Sequence, residues 1–341
     1  MAGKKSDKYS PNGGGGFGTF LYNSDTGQVL GRTCGSWLKI TVFYIIFYAC
    51  LAAFFYLCYQ IFATTLERPE ENGSPKWTQD ASLIGANPGV GFRPMPDQDK
   101  NSESTLIWYR TKDPADSAFW SDQLTDFLNK LKVKEGADNV VECSVGGNSA
   151  TQKRVCKVPT EGLGDCTVDN SFGYPDGKPC VLIKLNKIYD WEPEPFGIDD
   201  DTNKYDKKLL EDELEEKVQE QPKGMPVSLK NYILNEVAKK PGNEIEVLRS
   251  VWLSCAGENV GDEENLPESS ITYLPFRGIP GYYFPYKNQP NYKSPFVMVQ
   301  LNVPETSHHT LINVECRAWA KNVKYDRIDR LGSVHFEILV D

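Results

Sequence analysis

ITVFYIIFYACLAAFFYLCYQIF, from Ile40 to Phe62, is a run of twenty-three residues without a charged side chain. At about 1.5 Å per helical residue it reaches roughly 34 Å, enough to cross a hydrocarbon core of about 30 Å with some tilt. Nowhere else is the chain apolar over such a length. A tail of 39 residues precedes the run, which is also longer than a cleaved secretory signal needs, so the reading is an uncleaved signal anchor. Lys4, Lys5, Lys8, Arg32 and Lys39 outweigh Asp7 and Asp25 before it, whereas Glu67, Glu70 and Glu71 surround Arg68 after it. The positive-inside rule then places the N-terminus in the cytoplasm and the C-terminus outside, the topology of a single-pass type II membrane protein.

Cysteine usage supports the same orientation. Cys34, Cys50 and Cys58 lie in or before the apolar run, while Cys143, Cys156, Cys166, Cys180, Cys255 and Cys316 all follow it, as an oxidising compartment requires. Six cysteines permit fifteen pairings; close spacing favours Cys143 with Cys156 and Cys166 with Cys180, leaving Cys255 with Cys316. Free buried thiols are the alternative.

Four regions follow: a polar, Gly-rich tail over residues 1–39, the membrane helix 40–62, a juxtamembrane lead 63–104 and a β domain 105–341. Pro69, Pro75, Pro88, Pro94 and Pro96 make the lead extended and turn-rich. Beyond it, SDQLTDFLNKLK reads as a short helix capped by Ser121, with Leu124, Phe127, Leu128 and Leu131 on one face. The segments 181–183, 246–253, 296–303, 310–320 and 334–340 read as strands. Asp199 to Glu220 is dense in acid but repeats Leu210, Leu214 and Val218 at fours, a weak surface helix or solvated insertion rather than a cation site, because Asp199-Asp200-Asp201 lacks calcium-loop spacing.

The residues beyond the helix hold 45 acidic against 32 basic side chains, which excludes nucleic acid as a partner because phosphate contacts need the opposite sign. His308, His309 and His335 form no zinc-ligand spacing, and no P-loop, GxSxG elbow or dinucleotide fingerprint occurs. No catalytic, metal or cofactor site is therefore expected. Asn72-Gly73-Ser74 is the sole N-glycosylation sequon. Inside the membrane run, the hydroxyls of Tyr44 and Tyr48 need hydrogen-bond partners, and Ala49, Ala52 and Ala53 allow another helix to approach; an anchor surrounded by lipid is the competing reading.

FLYN (Phe20 to Asn23), LGRTCGSWLK (Leu30 to Lys39), FYIIFYACLAAFF from Phe43, YPDGKPCVLIKLNKIY from Tyr174, Phe284-Pro285-Tyr286 with the later QPNY, and VECRAW from Val314 occur in this order. Together these blocks resemble the beta subunits of the sodium/potassium-transporting ATPase, a family that includes the beta subunit of the proton/potassium pump. The resemblance implies an immunoglobulin-like β-sandwich with helical insertion and three disulfides in sequential order, coinciding with the pairing favoured by spacing. It implies a non-catalytic subunit that folds with, delivers and tunes the potassium affinity of a catalytic alpha subunit, which would itself use ATP, magnesium, sodium and potassium. Tyr44 and Tyr48, with Ala49 and Ala52, would face alpha's seventh and tenth helices, and Tyr282, Tyr283, Phe284 and Tyr286 its extracellular loops. Membrane lipid and a small single-pass regulatory subunit would be further partners. Ala49 stands where the family's FYGCLA has glycine, and the acidic 199–220 stretch and single sequon mark an invertebrate-type member. A membrane-tethered adhesion module and a type II glycosyltransferase share the topology; the latter would need a metal-binding acidic motif at a strand end.

Overall fold

The computed structural model describes residues 21–23, 27–66, 77–78, 81–82, 85–97, 99, 104–132, 137–151, 153–199, 201–220 and 223–341. The Asn72 sequon, the glycine run 13–16 and the charges at 67–71 lie outside the described residues. The chain divides into two compact units, Met1–Lys76 and Trp77–Asp341.

In the first unit, helix α1 (Cys34–Ala63) has 30 residues, none of them buried. It starts six residues before the charge-free run because Thr33, in extended conformation, leads into a stretch with no proline or acidic residue. A rod apolar on every side and covered by nothing is suited to hydrocarbon rather than to a soluble core. Its C-terminal end is satisfied locally. The hydroxyls of Thr64 and Thr65 donate to the carbonyls of Ile61 and Phe62 at 2.7 Å each, where helical N–H donors run out. Upstream, Tyr22–Asn23 pairs antiparallel with Gln28–Val29.

The second unit is built on nine main strands: β1 (Val90–Arg93), β2 (Leu106–Tyr109), β3 (Cys180–Leu185), β4 (Val251–Gly257), β5 (Ile271–Leu274), β6 (Gly278–Ile279), β7 (Phe296–Leu301), β8 (Ile312–Trp319) and β9 (Ser333–Val340). They form a five-stranded sheet in the order β6-β4-β8-β9-β2 and a four-stranded sheet in the order β5-β7-β3-β1. Every pair is antiparallel except β9 with β2. One core lies between the sheets: Phe92 of β1 stacks on Phe336 of β9 at 5.1 Å, among fully buried Ile107, Leu182, Val299, Val314 and Ile338. Period-two alternation explains the second face of the larger sheet. Leu253 and Cys255 of β4 join the main core, whereas Trp252 of β4 and Trp319 of β8 point the other way, into a second core with Leu210, Leu214, Leu229 and Ile233.

That second core corrects the reading of the acidic stretch. Helix α3 (Lys207–Gln219), capped by the Asp206 carboxylate on the amides of Lys208 and Leu209, buries Leu210 and Leu214 completely. It packs on α4 (Val227–Ala238), so the insertion is a helical layer rather than a weak surface helix. The Asp199 carboxylate accepts from the amide and hydroxyl of Thr202 and from the amide of Asp201, which holds its pKa below the ordinary carboxylate value.

Three further boundaries differ from the sequence reading. The helix placed at Ser121 is α2 (Pro114–Leu131): Asp113 caps it by accepting from Ala115 N at 3.0 Å, and Pro114 fits the first turn, where its missing N–H costs nothing. Residues 246–253 are not one strand, because helix α5 (Glu244–Leu248) turns both Val247 and Leu248 into the second core before β4 begins at Val251. The lead assigned to 63–104 contains β1, whose Val90 and Phe92 alternate into the main core, so the β domain begins before residue 105. The outer edge of β2 is guarded by Trp120 of α2, whose indole N–H donates to Trp108 O at 3.0 Å.

Cys143–Cys156, Cys166–Cys180 and Cys255–Cys316 are bonded, the pairs that spacing favoured. Cys255 and Cys316 are cross-strand partners on β4 and β8. They therefore staple one sheet, where an immunoglobulin domain's disulfide links two.

Candidate subunit interface

Seven residues of α1, Trp37, Thr41, Tyr44, Tyr48, Ala52, Phe55 and Tyr59, follow one another at intervals of three and four. At about 100° per residue they occupy a stripe roughly 80° wide. The Tyr44 and Tyr48 rings stack at 6.0 Å along it, both about half exposed. Thr41 is already satisfied by Trp37 O at 2.9 Å. The stripe thus carries three of the helix's four phenol hydroxyls, those of Tyr44, Tyr48 and Tyr59, with Tyr56 about 40° outside it. In a bilayer a hydroxyl without a partner is costly, so this side is suited to a neighbouring protein helix. Ala52 sits in the stripe and permits close approach, whereas Ala49, one residue past Tyr48, stands about 100° away. The four membrane residues named from sequence therefore do not share one face.

In the β domain, the segment from Tyr282 to Tyr286 divides by burial. Tyr283 is 6% exposed, and burial drives its phenol far above the ordinary value; it is a packing residue. Tyr282, Phe284 and Tyr286 are half-buried. Tyr282 is anchored through its carbonyl, which accepts from Ala150 N at 2.8 Å, next to the Cys143–Cys156 bridge in sequence and space. Phe284 meets Trp191 edge-on at 5.4 Å. Tyr286 packs on Tyr292 at 4.7 Å, with the Lys187 ammonium 5.1 Å from both rings. Asp190 holds this corner by accepting an ion pair from Lys287 at 2.9 Å, which raises the lysine's pKa, while its own N–H donates to Tyr286 O.

Beside these aromatics opens a cleft of about 200 Å³, lined by Ser144, Glu192, Glu246, Arg249, Tyr282 and Phe284 among others. Charges of both signs around aromatic edges suit a protein loop more than an apolar small molecule. Trp191, Lys187 and Tyr292 were not singled out in the sequence reading. Lys187 and Tyr292 stand in the blocks that carry the resemblance and Trp191 two residues past one, but nothing in their spacing reveals that three loops converge. Among the described residues no group of three or more His, Cys, Asp or Glu side chains is placed to hold a metal. His309 is taken up by Asp341 at 2.9 Å and His335 by Glu258 at 2.6 Å.

The family model described as "Sodium / potassium ATPase beta chain" matches residues 8–336. The chain is 41% identical to the sodium/potassium-transporting ATPase subunit beta-2 of Drosophila melanogaster, over 94% of this chain and 90% of the relative. It is 39% identical to subunit beta-1 of the same organism, over 95% and 93%. The potassium-transporting ATPase subunit beta of Rattus norvegicus is 26% identical over 91% and 88%.

Proposed function

The chain belongs to the sodium/potassium ATPase beta chain family, and from that premise we propose that it is the non-catalytic subunit of a plasma-membrane sodium/potassium pump. In this reading α1 crosses the bilayer with the N-terminus in the cytoplasm, and the disulfide-bonded β domain stands outside. Tyr44, Tyr48 and Ala52 lie against the catalytic alpha subunit within the membrane. Tyr282, Phe284 and Tyr286, with the cleft beside them, meet its external loops. The observation that carries the reading is a family match continuous from residue 8 to 336, across both units, combined with a helix that sets Tyr44, Tyr48 and Tyr59 on one side.

Association stabilises both partners by mass action, since a surface that binds the folded form alone shifts folding toward it. This is the physical content of a chaperone-like role in assembly and delivery. Potassium affinity would be tuned through a coupling free energy, ordinarily about 1–3 kcal/mol. ATP, magnesium, sodium and potassium belong to the alpha subunit. A small single-pass regulatory subunit is a compatible third partner, and Asn72 a candidate glycan site. Sodium rather than proton export is the reading because the relatives at 41% and 39% identity are both sodium/potassium-transporting subunits. The test is purification of the chain in mild detergent: a copurifying catalytic chain with potassium-sensitive, sodium-dependent ATPase activity is expected. A chain that purifies alone from its native membrane overturns the proposal.

A further inference from the structure

The residues just before α1 form a tight turn with an unusual occupant. Val29 and Arg32 exchange backbone hydrogen bonds, Val29 N to Arg32 O at 2.9 Å and Arg32 N to Val29 O at 3.1 Å. Between them Leu30 (φ 50°) and Gly31 (φ 72°) are both left-handed. Two-residue turns of this kind favour asparagine, aspartate or glycine at the first position; a leucine there carries a steric cost that nearby packing does not repay, because its side chain is 42% exposed. The turn is nonetheless held firmly. Leu30 N donates to Leu21 O at 3.1 Å, and the Trp37 indole N–H, one turn into α1, donates to Val29 O at 2.8 Å. Leu21, Tyr22, Val29, Leu30, Trp37 and Leu38 all leave apolar surface exposed around it.

Depth says what covers this surface. Thirty helical residues reach about 45 Å, matching the roughly 40–45 Å of a bilayer with its headgroups, and the charge-free run starting at Ile40 fills the hydrocarbon. Cys34–Lys39, and the turn bonded to Trp37, therefore stand level with one headgroup layer. Residues 27–66 contain Arg32 and Lys39 and no carboxylate, so the turn and helix themselves carry only positive charge, with Asp25 the nearest acid in sequence.

We propose that this turn is a membrane-surface foot: Leu30 and Trp37 enter the boundary between headgroups and acyl chains, and Arg32 and Lys39 bind anionic phospholipid headgroups of the same leaflet. The backbone cost at Leu30 is then offset by burial in lipid, and the foot fixes the depth and rotation of α1, hence where its tyrosine stripe faces. The inference rests on the reading that α1 spans the membrane.

The test uses the full-length chain with Cys34, Cys50 and Cys58 replaced by alanine, spin-labelled at Leu30→Cys, in nanodiscs of phosphatidylcholine with or without phosphatidylserine. Ile46→Cys serves as the mid-helix reference and Ile328→Cys, 92% exposed, as the aqueous one. With phosphatidylserine, the ratio of oxygen to nickel-chelate collisions at position 30 is expected several-fold above that at 328. It should fall toward the aqueous value in phosphatidylcholine alone and in the Arg32→Gln, Lys39→Gln variant. Val29→Cys repeats the measurement on the same turn. An aqueous reading at 30 beside a lipid reading at 46 overturns the foot while leaving the membrane span intact; an aqueous reading at 46 overturns both. Equal dryness of position 30 in both lipids overturns the choice of anionic headgroups.

Discussion

Asp262 shows how a single side chain in an acidic surface becomes structural. It sits at the third position of a one-turn helix, α6 (Val260–Asn265), where its carboxylate accepts from the N–H of Asn259 at 3.1 Å and its amide at 2.9 Å, closing a capping box. The same carboxylate accepts from Asn313 N of β8 at 3.0 Å, tying the helix to the sheet. Burial pushes its pKa up, but the hydrogen bonds from Asn313 and Asn259 outweigh that and leave it below the ordinary value. A depressed folded-state pKa contributes stability that is present above the unfolded value, about 3.9, and is lost as pH falls through the folded one. Asp262→Ala should therefore cost about 1–3 kcal/mol at neutral pH by removing the charged acceptor of the part-buried Asn259 and Asn313 N–H groups. The difference from the parent, read from urea midpoints, should narrow in acid; an undiminished difference at the lowest pH would discard the linkage. Sequence offered no means of finding this residue, since among so many carboxylates the informative partner, Asn313, is 51 positions away.

At the scale of elements, what was legible depended on how far a pattern's cause lay from it. The strands 296–303, 310–320 and 334–340 were readable because β-branched alternation is local; β7 and β8 fall within them and β9 begins one residue earlier. The helical layer was misjudged because its leucines look sparse among acids until Trp252 and Trp319 supply the surface they cover. Leu214→Ala should consequently cost about 2–5 kcal/mol in chemical denaturation, as truncation in a packed core does, where a solvated helix would lose almost nothing. The membrane helix was legible as a span from composition alone, but its sides were not, because grouping Ala49 with Tyr48 ignored the 100° between neighbours. Here the stripe makes a comparative prediction. Tyr44→Leu with Tyr48→Leu should reduce recovery of the catalytic chain, while Phe43→Leu with Phe47→Leu, a stacked pair at 6.2 Å on another side, should leave it unchanged. Equal loss from both pairs would dissolve the distinction between faces.

For the whole molecule, the three disulfides differ in reach and in access, and the two do not run together. In a chain-entropy picture the Cys255–Cys316 bridge, spanning 61 positions, restrains the unfolded chain by about 4 kcal/mol, against about 3 for spans of 13 and 14. Cys166, Cys180, Cys255 and Cys316 are fully buried, whereas Cys143 is half-buried beside Ser144 at the rim of the aromatic cleft. Thiol exchange requires an attacking thiolate to reach sulfur, so access rather than entropy should set the order of opening in the folded protein. Graded reductant followed by alkylation and peptide mapping is expected to mark Cys143 and Cys156 first, with the other four cysteines protected until the domain unfolds. Because Ala150 in that loop holds the Tyr282 carbonyl, opening the bridge should weaken recovery of the catalytic chain before it lowers the domain's own melting temperature appreciably. Simultaneous alkylation of all six, or loss of the sandwich at the first step, would show that the bridge holds the fold together rather than shaping its contact surface.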